Sequence, residues 1–130
     1  MGISRRTFLK GLGALAFGGV SLAGYAFGIE PFRVRVQHHR VTPPDWPGGL
    51  RLKIAAVADV HACKPWMSAE RIQSIVEQTN ALEPDLIVLL GDYVAGHPWV
   101  SDWVHSRDWS EAMKPLTAPL GVHAILGNHD

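Results

Sequence analysis

Three short clusters in the chain carry side chains able to hold a metal ion. They are Asp59-Val60-His61, Gly91-Asp92 and Gly127-Asn128-His129-Asp130. Asp59 and His61 are two apart, so in extended chain both point the same way, and one carboxylate and one imidazole can grip a single cation. Gly91 and Gly127 let the backbone turn sharply beside the polar residues. A donor set of carboxylate, imidazole and amide oxygen suits Mn, Fe or Zn rather than an all-oxygen calcium cage. Taken singly, each cluster is ordinary turn chemistry, because Asp, Asn and Gly are common turn residues. What sets them apart is where they fall in the chain.

Each cluster directly follows an apolar run. Leu50 to Val60 is almost continuously apolar, Leu86 to Leu90 is wholly so, and Val122 to Leu126 is a third such run. Short apolar runs bounded by turns suit strands buried on both faces. Between the first two, Ser68 can cap a helix in which Ile72, Ile75, Val76 and Thr79 recur at helical spacing. That helix should end near Leu82, because Pro84 disfavours helix at Glu83. Strand, helix, strand in this span is a βαβ unit with parallel strands and a right-handed crossover. Residues 101–114, with Trp103 and Trp109, read as a helix leading to Pro115. In parallel α/β sheets ligands bind outside the carboxyl ends of the strands, so the three clusters should converge on one rim. Upstream, Val34 and Val36 alternate with Arg33 and Arg35 over Phe32 to Val41, the pattern of a half-exposed strand. The breaker-rich residues 42–49 form a loop.

Asp-x-His, then Gly-Asp, then Gly-Asn-His-Asp, each straight after an apolar strand, resembles the signature of the calcineurin-like metallophosphoesterases over roughly residues 50–130. The tetrad is its most specific piece. The resemblance implies an α/β fold, the N-terminal part of the family's α/β/β/α sandwich. It implies hydrolysis of phosphomonoesters or phosphodiesters by a water activated between two divalent metal ions. In the family the residues matching Asp59 and His61 bind the first metal, the one matching Asp92 bridges both, and the one matching Asn128 binds the second. The imidazole matching His129 acts on the substrate, stabilising charge or protonating the leaving group, and the carboxylate matching Asp130 orients that histidine. The family pattern also contains a further histidine ligand and a Gly-His-x-His segment, neither of which follows in this sequence. The resemblance therefore implies the N-terminal part of a longer protein, which alone should not assemble a complete two-metal site. The rival reading is a metallophosphoesterase-like scaffold that binds partners without catalysis. Intact Asp59, His61, Asp92, Asn128 and His129 argue against it.

Residues 4–10, Ser-Arg-Arg-Thr-Phe-Leu-Lys, resemble the twin-arginine export signal, and an uncharged, glycine-rich apolar stretch follows from Gly11 to Ile29. Glycine lowers both hydrophobicity and helix propensity, so the stretch is weaker than an ordinary membrane anchor. Ser21-Leu22-Ala23 offers a small-x-small cleavage site. Residues 1–29 are thus expected to be a signal segment and 30–130 the beginning of the enzyme domain. The expected partners are the twin-arginine translocase and a phosphate ester. Export would place the protein in the periplasm or on the outer face of the cytoplasmic membrane, with membrane association through residues 11–29 if the segment is kept. Lipid-linked or cell-envelope phosphodiesters fit that location. Relatives of the UDP-2,3-diacylglucosamine hydrolases are the nearest comparison within the exported branch that the chain resembles.

Composition narrows the alternatives. The 130 residues carry 12 basic and 12 acidic side chains, which argues against a nucleic-acid binder working through a basic patch. Five tryptophans without a basic groove suit packing better than base stacking. The single cysteine, Cys63, excludes an internal disulfide framework and is expected to be a packing or loop residue. His38, His39 and His97 are expected at the surface, and His123 is expected to be structural.

Overall fold

The computed structural model describes residues 4–96 and 100–130, so His97 lies outside the described residues. Contacts divide the chain into two units, one ending at Gln37 and the other running from His38 to Asp130.

The first unit is dominated by helix α1, Arg5–Gly28, 24 residues long. Its start is fixed by Ser4, whose hydroxyl accepts from the Thr7 N–H at 3.2 Å. At about 1.5 Å per residue the helix is about 36 Å long, against a hydrocarbon layer of about 30 Å. It is long and apolar enough to cross a membrane, and none of its residues is buried within the protein. The glycines therefore do not break it, although each costs about 1 kcal/mol relative to alanine in a helix interior. A short 3-10 turn, Glu30–Phe32, follows. The strand expected over Phe32 to Val41 is not formed, and Val34 and Val36 stand exposed. Alternation gives a segment strand character, but a strand also needs a hydrogen-bonded neighbour, and none lies beside it among the described residues.

The second unit is built on a parallel three-stranded sheet. Its strands are β1 (Ile54–Val57), β3 (Leu86–Leu89) and β5 (Val122–Ala124), in the order β1-β3-β5. Ala55 pairs with Ile87, and Leu89 with both Val57 and Ala124. Helix α2, Ala69–Ala81, crosses from β1 to β3. It is capped by Ser68, whose hydroxyl accepts from Arg71 N–H, and it stops at Leu82, before Pro84. Helix α3, Ser106–Met113, crosses from β3 to β5. Residues 101–105 were expected to belong to that helix. Instead Asp102–Trp103 forms a short strand, β4, antiparallel to β2 (Cys63–Lys64).

The three apolar runs were expected to be buried on both faces, and the structure corrects this. Ala55, Ile87 and Leu89 join Ile72 and Val76 of α2 and Ala112 of α3 in the core, with Val57 packed beside them. On the other face Ile54 is 52 % exposed, while β5, at the edge of the sheet, is exposed along its whole length. The strand order supplies the reason. When successive strands add on the same side, right-handed crossovers put both connecting helices on one face of the sheet.

Candidate metal centre

The chain leaves each parallel strand and turns sharply. Asp59, His61 and Asp92 adopt left-handed backbone angles, with φ of 53°, 43° and 55°. For residues other than glycine such angles cost of order 1–3 kcal/mol each, and they cluster at functional sites. Asp59 and His61 do not, therefore, project from extended chain as their spacing suggested. They are brought together by left-handed backbone at both residues, and the convergence is nonetheless achieved. One ligand atom from each of Asp59, His61 and Asp92 lies within 4.8 Å of the others.

Two adjoining loops hold this arrangement. The N–H of Asp59 donates to Gly91 O at 3.3 Å, that of His61 to Asp92 O at 2.9 Å, and that of Ala62 to Tyr93 O at 2.7 Å. The loops after β1 and β3 thus zip together past the end of the sheet. The ring of His61 is fixed as well. Its Nδ1 lies 2.9 Å from Val94 O. A carbonyl can only accept, so Nδ1 carries the proton and Nε2 is left with a free lone pair. Metal-binding histidines are commonly oriented by just such a second bond. The residues present therefore fit a divalent cation: two carboxylates and one imidazole of fixed tautomer.

The Gly127–Asp130 turn closes against the same loop. The N–H of His129 donates to Asp92 Oδ1 at 2.9 Å. The His129 ring stands edge-on to that of His61, with centroids 5.3 Å apart and planes at 72°. Asn128 lies in the same turn, next to His129, and is exposed. Asp130 was expected to orient His129. Its carboxylate accepts from four backbone N–H groups, those of Asp92, Tyr93, Val94 and Gly127, at 2.6–3.3 Å. Loss of water alone would raise the Asp130 carboxyl, but these donors outweigh it and hold it below the usual carboxylate value.

Cys63 is buried in β2 and lies outside the cluster of possible ligands, and burial pushes its thiol up. His123 is exposed, with Nε2 3.2 Å from Leu120 O. Tyr93 had no assigned role. It stacks on Trp109 of α3, with centroids 5.1 Å apart, and its hydroxyl donates to Ile125 O at 3.0 Å. It ties the Asp92 loop to the core and to the chain beyond β5. Val94 contributes only its carbonyl, for which side-chain chemistry offers no signal.

The glycines of the second and third clusters allow this close approach. A Cβ on Gly91, where φ is 90°, would collide with the backbone of Gly127, and one on Gly127 would fall 2.6 Å from Asp92 Cγ and 2.5 Å from its N. Both obstacles are held by the hydrogen bonds just described, so neither yields cheaply. Gly127→Ala is therefore expected to displace the Asp92 carboxylate. It should lower stability by about 1–3 kcal/mol, as overpacking does, and weaken metal binding at least tenfold. Denaturant melts and a Mn titration check this, and an unchanged Mn affinity would contradict it.

Comparison with known proteins agrees with this geometry. Residues 52–130 match the model of the calcineurin-like phosphoesterases. The chain belongs to that family of metallophosphoesterases. It is similar to the uncharacterised metallophosphoesterase YkuE of Bacillus subtilis, at 33% identity over 98% of this chain and 45% of that protein. It is also similar to a transmembrane protein with a metallophosphoesterase domain from Danio rerio, at 31% over 67% of this chain and 18% of that one. The UDP-2,3-diacylglucosamine pyrophosphatase LpxG of Chlamydia muridarum is 32% identical over 61% of this chain and 22% of its own length. The chain thus spans less than half the length of these relatives. No solved structure matches it.

Proposed function

We propose that the protein hydrolyses phosphomonoesters or phosphodiesters with two divalent metal ions, held in part by Asp59, His61, Asp92 and Asn128. The observation that carries this reading is the meeting of Asp59, His61 and Asp92 ligand atoms within 4.8 Å at the carboxyl ends of adjacent parallel strands. Bound there, such ions supply an activated water and neutralise charge on the phosphoryl oxygens. The chain's own residues do the rest. Val94 O engages Nδ1 of His61, which would leave the Nε2 lone pair free for a cation. Asp92 holds the His129 backbone, and the His129 imidazole would give a proton to the departing oxygen of a bound phosphate ester. An assay with Mn, Fe and Zn against a panel of mono- and diesters tests the reading on the protein as its gene encodes it. Metal-dependent turnover is expected, and its absence with every metal would refute the reading.

For the substrate, a lipid-linked or cell-envelope phosphodiester is favoured by the apolar helix α1 and by the likeness to a UDP-2,3-diacylglucosamine pyrophosphatase. Export by the twin-arginine route is favoured by the match of residues 4–10 to that signal. Arg5→Lys combined with Arg6→Lys is expected to leave the protein in the cytoplasm. Fractionation checks this, and undiminished protein outside the cytoplasm would count decisively against the route.

A further inference from the structure

We infer that Asp130 is a positioning residue that clamps the Asp92 loop in its ligand-presenting shape, and that it acts through the backbone rather than through His129. The loop 92–94 leaves β3 through Gly91 and Asp92, both with left-handed backbone. That conformation turns three successive N–H groups toward one point, the kind of nest that binds an anion. The Asp130 carboxylate fills it. Oδ2 accepts from Asp92 at 2.7 Å, and Oδ1 accepts from Tyr93 at 2.6 Å and Val94 at 3.3 Å. Oδ2 also accepts from Gly127 at 2.8 Å, which fixes the turn that carries Asp130 itself.

The opposite edge of the same loop points to the ligands. The carbonyls of Asp92 and Tyr93 accept from His61 and Ala62 N–H, and the carbonyl of Val94 holds the His61 ring. The brace is reciprocal. The Asp130 side chain holds the Asp92 backbone, while the Asp92 side chain holds the His129 backbone. One carboxylate thus sets the position of Asp92, the orientation of His61 and the approach of the turn bearing Asn128 and His129. No hydrogen bond joins Asp130 to the His129 ring among the described residues. The consequence for turnover rests on the phosphoesterase reading, but the clamp does not.

Asp130→Asn separates the two roles. An amide presents one acceptor oxygen and one NH2, so at least one pair of the N–H donors must face another donor. In the metal-free variant, amide hydrogen exchange at Asp92, Tyr93 and Val94 is expected to quicken at least tenfold, with the helices unchanged by circular dichroism. Mn affinity should fall at least tenfold. Turnover should fall equally for good and poor leaving groups and recover as Mn is raised. Unchanged exchange and Mn affinity, with a loss confined to poor leaving groups, would assign Asp130 to His129 and overturn the clamp. Should the variant fail to fold, the metal-free wild type decides. Through-hydrogen-bond couplings are expected between the Asp130 carboxylate carbon and the amides of Asp92, Tyr93 and Gly127, and their absence overturns the proposal. A wild type inactive with every metal would refute the phosphoesterase reading and leave these exchange and coupling results to judge the clamp alone.

Discussion

Asp92→Asn is expected to empty the metal site and abolish turnover together. The substitution is nearly isosteric. The Asn oxygen can still accept from the His129 N–H, now 2.9 Å from Asp92 Oδ1, so the turn should survive. What disappears is a negative charge at the point where the ligand atoms of Asp59, His61 and Asp92 meet. Under the reading proposed above, Asp92 would bridge both cations, and each would need its charge. Removing an outer-shell partner of a metal ligand typically costs about 10- to 100-fold in affinity or activity, and losing a bridging ligand should exceed that. Metal analysis of the purified variant and its rate with saturating Mn check this, with the melting of the metal-free form as a control for folding. A variant that kept stoichiometric metal would remove Asp92 from the ligand set.

His129→Gln should behave in the opposite way, with the metal retained while turnover falls. The His129 ring is exposed and stands edge-on to His61, and only its backbone N–H engages Asp92. Exchanging the side chain therefore leaves the ligands in place. It also leaves Gly96 unfilled beside it, where a Cβ would sit 2.7 Å from His129 Nδ1. Proton transfer by a positioned side chain typically contributes about 100- to 10,000-fold, and a loss of that size is expected. The loss should shrink for nitrophenyl esters, whose leaving groups scarcely need a proton. Rates on a good and a poor leaving group, set beside metal content, make the test. If His129→Gln emptied the site as thoroughly as Asp92→Asn, His129 would have to be counted among the ligands.

Much of the site-bearing frame could be read from local sequence. The start and stop of α2 follow from Ser68 and Pro84, and its buried residues Ile72, Val76 and Thr79 fall where helical spacing puts them. The parallel pairing of β1, β3 and β5 follows from three apolar runs, two of them joined by that helix, and it places Asp59, His61 and Asp92 on one rim. These features depend on neighbours a few residues away, or on a crossover rule that every such unit obeys.

What only the tertiary structure decided depends on partners distant in sequence. That both helices lie on one face of the sheet reflects the direction in which strands were added, which no single strand encodes. The pattern at Phe32 to Val41 permitted a strand but could not supply its neighbour. β2 and β4 are two residues each, too short for any periodicity, and exist because Cys63 meets Trp103. At the site, the sequence determined which residues can bind a metal. The left-handed backbone at Asp59, His61 and Asp92, the Val94 carbonyl on His61 and the four N–H groups on Asp130 were decided by how the loops after β1, β3 and β5 meet, an approach that Gly91 and Gly127 permit. Backbone donors and acceptors are the same at every residue, so only the fold determines which of them a carboxylate or an imidazole finds.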